Sequence, residues 1–242
     1  MPSNISTYII HSKHEPERGK QVAELQTQFP DSKIIEAIFP KYQHVPFIDK
    51  LVHKSQERTG KALLKSEIGV ILSHRKAWQE IVKQKDDSKT HYLILESDSK
   101  IYDLEAINYI YPTIDKRFDL FFWGAWNGHV SLKRSTISKD KSGYSIGEPL
   151  IKSLYGAYGY SINQQGAKHL LKNTGNIKHP VDLYKYYVNP NRISIGAVKP
   201  ELIGTWLTTQ STIRPESLLD KLKRMLTIKI FHCRNQIRAY FC

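Results

Sequence analysis

The sequence predicts an α/β fold in which helices cover the faces of a central sheet. Short apolar runs rich in β-branched residues alternate with segments whose apolar residues recur every three or four positions. Strands separated by helices are typical of a sheet packed between helical layers. The 242 residues are enough for one large domain, or for one domain with an appendage.

We expect strands at the apolar runs and helices at the periodic segments. The strands are predicted at residues 5–10, 33–39, 91–95, 118–123, 154–163 and 192–198. Helices are predicted at residues 17–28, at 67–83 with Ser66 as the N-cap, and at 166–171. The polar segment 133–147 is predicted to be a mobile loop. Trp78 is interpreted as a core residue rather than a stacking platform. Tyr155, Tyr158 and Tyr160 are predicted to share one face of a strand, which we interpret as a packed sheet, with a sugar-stacking surface as the alternative.

The charge balance is strongly basic, with 36 Lys and Arg residues against 23 Asp and Glu and a formal net charge of +13. This excess indicates an anionic partner, which is nucleic acid, anionic lipid or a phosphorylated substrate. No apolar run approaches the roughly 18–20 residues of a membrane-spanning helix. The first residues lack the features of a secretory signal, so we expect a cytoplasmic protein. Two cysteines, Cys233 and Cys242, are too few for a disulfide framework or a thiolate zinc site.

The last 28 residues combine basic charge with a helical apolar pattern. On a helix beginning near Pro215, one stripe would contain Leu219, Leu222, Leu226, Ile230, Cys233, Ile237 and Phe241. Most basic side chains would lie elsewhere around the helix, which is typical of segments that bind a membrane surface or a partner. The alternative is a terminal helix that packs its stripe on the domain. We predict a domain at residues 1–214 and a basic amphipathic, membrane-associating tail at residues 215–242.

Two carboxylates follow the most apolar of the predicted strands. Glu96, Ser97 and Asp98 come directly after Leu93-Ile94-Leu95, at the edge of the sheet where open α/β folds bind ligands. Glu96 and Asp98 have the same parity, so an extended backbone would point both the same way. Paired hard oxygen ligands suit Mg²⁺ or Mn²⁺, which usually binds one or two carboxylates and substrate phosphates. The alternative is an ordinary strand end followed by a polar turn.

Several segments resemble glycosyltransferase family 25 in the same order along the chain. Glu67-Ile68-Gly69, Leu72-Ser73-His74 and Trp78 resemble the family segment E-I-G-x-x-L-S-H-x-x-x-W, and residues 95–98 take the place of its L-E-D-D. Further similar segments are the first strand and turn at 8–12 with Arg18, F-D-x-x-x-x-G at 118–124, G-x-x-A-Y-x-I at 156–162, G-A-x-x-L-L at 166–171, P-V-D at 180–182, and P…S-x-I at Pro200 and 211–213. The resemblance extends over residues 5–213.

The resemblance implies a GT-A-like fold with a mixed central sheet, a nucleotide-sugar donor and inversion at the anomeric carbon. Because the family includes bacterial lipooligosaccharide galactosyltransferases, the implied reaction moves galactose from UDP-galactose to a lipooligosaccharide or lipopolysaccharide acceptor, assisted by Mn²⁺ or Mg²⁺. Such an enzyme would bind peripherally to the cytoplasmic face of the inner membrane through residues 215–242. Another UDP-sugar, such as UDP-glucose, is an alternative donor.

The chain departs from the family pattern at Ser97, where Asp is usual. If Glu96 and Asp98 hold metal and nucleotide, the change is tolerable. If the middle carboxylate is needed, the chain would be a non-catalytic, sugar-binding homologue. A nucleic-acid-binding protein is a more distant alternative, favoured by the net charge but by no recognisable binding motif.

The resemblance also implies roles for individual residues. Asp98 and Glu96 would hold the metal, and the donor-binding residues would be His11, Ser12, Arg18, Glu67, His74 and Glu96. Asp182 is the candidate general base, because inversion needs a carboxylate or an imidazole near the attacking hydroxyl. Glu67 and His74 are seven residues apart and share one side of a helix. His74 is alternatively a buried histidine that pairs with a nearby carboxylate and joins the helix to the sheet.

Overall fold

The computed structural model describes residues 3–85, 90–114, 117–125, 128–141, 143–206 and 218–242, with backbone only for 218–227. The strands are β1 (Thr7–His11), β2 (Lys33–Glu36), β3 (Tyr92–Glu96), β4 (Ser99–Ile101), β5 (Leu120–Phe122), β6 (Ser138–Lys139), β7 (Ser145–Gly147), β8 (Gly159–Ile162), β9 (Ile195–Lys199) and β10 (Ile203–Thr205). The α-helices are α1 (Gly19–Gln28), α2 (Ile48–Thr59), α3 (Lys65–Lys83), α4 (Leu104–Ile114), α5 (Gln164–Asn173) and α6 (Leu218–Tyr240).

Eight strands form one mixed sheet in the order β2-β1-β3-β8-β5-β9-β7-β6. The β2–β1, β1–β3 and β5–β9 pairs are parallel, whereas β8 runs antiparallel to both β3 and β5. Strands β4 and β10 form a separate two-stranded antiparallel sheet. The α/β fold with a mixed central sheet is therefore confirmed.

The sheet lies between two helical layers, because successive residues of each central strand face opposite sides. Ile10 and Ile94 pack with α3 and α5 in one core cluster. Their neighbours Ile9 and Leu93 pack with α1 and α4 in the other. Both faces of the central strands are buried, which explains why residues 92–95 are continuously apolar.

Some sequence-based boundaries are wrong. Helix α3 begins at Lys65 after Leu64, so Ser66 is not the N-cap. The segment expected to be a mobile loop contains β6 and β7, which form an antiparallel pair at the sheet edge. Helices α2 and α4 were not predicted.

Helix α6 packs on the domain, through a face that the sequence did not predict. Asn235 and Ala239 are buried. The rings of His232 and His129 lie 4.6 Å apart. At 3.6 residues per turn these contacts lie roughly opposite the predicted stripe.

The described part of the predicted stripe is exposed to solvent. Ile230, Ile237 and Phe241 are 63%, 62% and 83% exposed, and Cys233 is exposed as well. We call these four residues the outer face of α6, including Phe241, which directly follows the helix. The side chains of Leu219, Leu222 and Leu226, and the predicted start near Pro215, lie outside the described residues. The membrane-associating role of this tail stays a prediction.

Candidate functional site

The candidate site lies at the carboxyl edge of two neighbouring parallel strands. Strands β1 and β3 pair in register, with Ile10 opposite Glu96. His11 and Ser12 therefore leave the sheet beside the segment from Glu96 to Asp98. Since parallel strands end at the same edge, residues 85 positions apart in sequence come together, and this edge is where α/β sheets bind ligands.

Arg18 joins this edge to the segment that follows β1. Its Nη1 donates to Ser97 Oγ at 3.0 Å and lies 3.3 Å from Asp98 Oδ2. Its Nε lies 3.5 Å from Glu15 Oε1. One guanidinium therefore contacts three oxygen-bearing side chains.

The alternation predicted for Glu96, Ser97 and Asp98 stops at the end of β3. Ser97 and Asp98 form a turn between β3 and β4, and both contact the same Arg18 nitrogen. Glu96 bonds instead to helix α3. Its charge nevertheless acts on Asp98, so the two carboxylates form one electrostatic site.

Asp98 carries a charge that its surroundings oppose. Burial and the negative charge of Glu96 raise the pKa of Asp98 from 3.8 to about 6, although Arg18 acts in the opposite direction. The Oδ1 atom of Asp98 is buried and has no hydrogen-bond partner among the described residues. A buried, unpaired carboxylate oxygen is costly, and a positive or hydrogen-donating ligand would satisfy it.

Glu96 is hydrogen-bonded to a series of buried polar side chains. His74 Nε2 lies 3.1 Å from Glu96 Oε1, and His74 Nδ1 lies 2.9 Å from the Tyr160 hydroxyl. Trp78 Nε1 donates to the same hydroxyl at 2.8 Å. Of the two interpretations of His74, the structure shows the pairing with a carboxylate that joins α3 to the sheet. That carboxylate belongs to the candidate site.

Glu67 lies at the start of α3, where its Oε2 accepts a hydrogen bond from the Leu64 amide at 2.9 Å. This contact satisfies one of the free amides at the helix N-terminus. The neighbouring Gly69 permits close packing, since a Cβ there would lie 2.5 Å from the Ile38 carbonyl oxygen. The structure thus gives Glu67 a role in the helix, and its predicted contact with the donor stays a prediction.

His11 and Ser12 occupy the end of β1 as predicted. Burial lowers the pKa of His11. The charge of Glu36 raises this pKa and the charge of Arg18 lowers it, with burial as the largest effect. Ser12 is fully buried and accepts a hydrogen bond from the His14 amide at 3.2 Å. Ser12 therefore shapes the turn, while His11 faces the charged groups.

Asp182 and Glu96 both act electrostatically on the buried side chain of Tyr184. Asp182 precedes a short 3-10 helix, Tyr184–Tyr186. Burial and Tyr160 are the larger causes that raise the pKa of Tyr184, and the charges of Glu96 and Asp182 raise it further. A single buried ring therefore senses both carboxylates.

Several residues of the site were missed or undervalued by sequence reasoning. Glu15 pairs with Arg18. The amide of Trp206 donates to the Asp98 carbonyl at 3.1 Å, and the Lys100 ammonium lies 4.5 Å from the Trp206 ring centroid. None of these three residues belongs to a recognised motif, and Trp206 reaches the site only in the folded chain.

Glu96 and Asp98 are the predicted ligands of a divalent cation, and this role stays a prediction. Within the described ranges, no group of three or more His, Cys, Asp or Glu side chains is placed to hold a metal ion. Mg²⁺ and Mn²⁺ do not need one, because substrate phosphates commonly complete their coordination. The unpaired Oδ1 of Asp98 and the repulsion between the two carboxylates are both features that a cation would relieve.

A family model matches most of the chain. The model of glycosyltransferase family 25 (LPS biosynthesis protein) matches residues 4–185, about three quarters of the chain and nearly all of the site. No curated protein matches the sequence. In the part of the chain that the structure describes, no helix is both long and apolar enough to span a bilayer. The chain belongs to glycosyltransferase family 25, and this membership implies transfer of a sugar from a nucleotide-sugar donor to a glycan acceptor in lipopolysaccharide biosynthesis.

Proposed function

We propose that this chain is an inverting galactosyltransferase that moves galactose from UDP-galactose to a lipooligosaccharide or lipopolysaccharide acceptor. The observation that carries the proposal is the pair Glu96 and Asp98, with Arg18 beside it, at the edge of the sheet in a chain of this family. Cationic and anionic groups in one cleft suit a donor that has a diphosphate and a sugar. The sheet order, with β8 antiparallel between parallel strands, supports a GT-A-like fold.

Asp98 and Glu96 would hold a divalent cation, Mn²⁺ or Mg²⁺. Such a cation stabilises the negative charge that develops on a leaving diphosphate. Without it, the two carboxylates would repel that diphosphate. Arg18 adds a fixed positive charge, and its Nη2 has no partner among the described residues, so it can donate to a phosphate oxygen.

Asp182 would be the general base. The acceptor oxygen forms a bond to the anomeric carbon while the bond from that carbon to the phosphate oxygen breaks, and UDP leaves with the electron pair. The acceptor proton passes to the carboxylate. The electrostatic proximity of Asp182 and Glu96 to one ring supports this placement.

Release of UDP over a panel of UDP-sugars, with a truncated lipopolysaccharide acceptor, tests the proposal. We expect turnover of UDP-galactose with Mn²⁺ and none with EDTA. Asp182→Asn should keep UDP binding but retain less than about a tenth of the turnover, since a general base contributes about 10²–10⁴-fold.

Each alternative has a distinct result in the same assay. Turnover of UDP-glucose but not of UDP-galactose would show that UDP-glucose is the donor. Absence of turnover, together with absence of UDP binding by calorimetry, would identify a non-catalytic homologue. More than a tenth of wild-type turnover in Asp182→Asn would remove that residue from the role of base.

We also propose that the outer face of α6 rests on an anionic membrane surface. The exposed apolar residues are flanked by the exposed cations Lys229, Arg234 and Arg238. From Lys221 to Cys242 the sequence has six Lys and Arg residues and no Asp or Glu. Each basic residue near anionic lipid contributes about 1 kcal/mol. Because α6 docks on the domain through its other side, the catalytic edge would be held at a fixed distance from the lipid.

Sedimentation with vesicles that contain phosphatidylglycerol tests the membrane proposal. Ile237→Asp should lower the partition coefficient at least about tenfold, since burial of an Ile side chain is worth about 1.5–3 kcal/mol. Tyr109→Asp is the matched control, because Tyr109 is an exposed apolar residue on another helix. Equal binding by wild type and Ile237→Asp would contradict the proposal, as would equal binding to neutral vesicles.

A further inference from the structure

A continuous chain of hydrogen bonds runs from the interior of the protein to Glu96. It contains Trp78 and His74 from α3, Tyr160 from β8, and Glu96 from the end of β3. Trp78, Tyr160 and His74 are each fully buried, whereas the Glu96 side chain is 28% exposed. Only the last member of the chain can therefore meet a ligand.

The Trp78 indole at the inner end determines which atom donates in every hydrogen bond of this series. An indole N–H can only donate, so the Tyr160 oxygen accepts from Trp78. Among the described residues, the other partner of the Tyr160 hydroxyl is His74 Nδ1, so the phenolic proton is donated to that nitrogen. The imidazole proton then lies on Nε2 and is donated to Glu96 Oε1.

We infer that Trp78 and Tyr160 are positioning residues for the proposed donor site, because they fix the His74 tautomer and thereby the orientation of Glu96. The inference rests on the proposed function. A residue that is hydrogen-bonded to a metal-binding side chain orients that side chain, and loss of such an outer contact typically costs 10–100-fold in metal affinity. Neither Trp78 nor Tyr160 touches the ligand, so both act only through His74.

The neighbouring Tyr184 separates this inference from a simple role in packing. Tyr160 and Tyr184 are both fully buried, and their rings meet edge to face at 6.2 Å. The Tyr184 hydroxyl, however, has no hydrogen-bond partner among the described residues. Substitution by Phe removes the same atom from both rings, but it interrupts the chain only at Tyr160.

The test is a titration of the protein with Mn²⁺ at saturating UDP, with free Mn²⁺ followed by electron paramagnetic resonance. We expect Tyr160→Phe to weaken Mn²⁺ binding about tenfold or more. Tyr184→Phe should bind Mn²⁺ within about twofold of wild type. Trp78→Phe keeps an aromatic ring but removes the terminal donor, and it should weaken binding by an intermediate factor. It also provides a second variant if Tyr160→Phe does not fold.

A double-mutant cycle with Glu96→Gln shows whether the effect of Tyr160→Phe on Mn²⁺ affinity depends on Glu96. If Tyr160 acts through Glu96, then Tyr160→Phe should change Mn²⁺ affinity by less than about twofold in the Glu96→Gln background. Additive losses would overturn the inference, as would equal affinities for Tyr160→Phe and Tyr184→Phe. Failure of wild type to bind Mn²⁺ with UDP would overturn the proposed metal site itself, and this inference with it.

Discussion

The two ends of strand β3 carry buried titratable groups, and burial has opposite consequences for them. At the amino end, burial lowers the pKa of His91 from 6.5 to about 4. At the carboxyl end, burial and Glu96 raise the pKa of Asp98 from 3.8 to about 6. Both environments favour the neutral form.

The difference lies in the form that each group takes at pH 7, where His91 is neutral and Asp98 is ionised. The neutral imidazole of His91 donates from Nε2 to the Phe118 carbonyl oxygen at 2.7 Å, while its buried Nδ1 has no partner among the described residues. Asp98 has a buried oxygen without a described partner. The fold therefore supports a neutral group at one end, and at the other it retains a group whose charge it opposes. Such a cost is expected where a site is prepared for a ligand.

The largest expected effect comes from removal of the charge at the carboxyl end. Asp98→Asn should lower kcat about 10²–10³-fold, as loss of a charge-stabilising group typically does. Because ionisation of Asp98 opposes folding once the pH exceeds about 4–6, the same substitution should leave Tm unchanged or raise it by about 2–6 °C at pH 7.5 without metal.

Asp103→Asn is the control for that stability effect. Asp103 accepts hydrogen bonds from the Ala106 amide at 2.9 Å and the Tyr144 hydroxyl at 2.9 Å. Its substitution should therefore lower Tm and leave the donor site intact. A fall in Tm for Asp98→Asn as large as for Asp103→Asn would show that the two ends of β3 do not differ as argued. Activity assays and thermal melts measure both effects.

The amino end should show a pH dependence of opposite sign. The pKa of His91 is about 6.5 in the unfolded chain and about 4 in the folded one. The unfolded state therefore binds more protons below pH 6.5, and stability falls as the pH decreases toward 4. Between pH 7 and pH 5 this histidine should cost about 2 kcal/mol of the free energy of unfolding.

Urea unfolding of wild type and His91→Gln at the two pH values measures this cost. The variant should lose about 2 kcal/mol less than wild type between pH 7 and pH 5. His53→Gln, at an exposed histidine, should behave like wild type. Parallel pH profiles for all three proteins would refute the assignment to His91.

The smallest effect is expected at Ser97. Ser97 is buried and accepts a hydrogen bond from Arg18, so an Asp in this position would face that guanidinium. Ser97→Asp restores the usual family triplet, and we expect it to change kcat/KM by less than about fivefold, or about 1 kcal/mol. A gain of more than tenfold would show that the middle carboxylate binds metal, and that the chain is impaired without it.

The sequence alone predicted much of the layered fold and part of the site. The apolar run at 92–95 and the helical period of 67–83 are local patterns, and local patterns follow from which residues face the core. The apolar strand that ends at Glu96 predicted both carboxylates at the carboxyl edge of the sheet, and the family resemblance added Arg18 to the donor site. Alternation failed at Ser97 because a turn, which has no period of two, begins there.

The pairings that make the site work were decided only by the tertiary structure. Arg18 and Ser97 are 79 residues apart, and His74 and Tyr160 are 86 apart. Such contacts depend on which strands become neighbours and in which register, and no local pattern encodes that choice. The sequence favoured a packing role for Tyr160, because the hydrogen-bond partners of its hydroxyl, Trp78 and His74, become neighbours only in the folded chain.

Helix α6 shows the same division most directly. Its amphipathic sequence determined that one stripe is apolar and that basic residues flank it. Which side meets the domain was not encoded in that pattern. The structure docks the side with Asn235 and Ala239 and leaves Ile230 and Ile237 exposed. Periodicity reports which residues share a face of a helix, but only the surrounding fold determines what that face contacts.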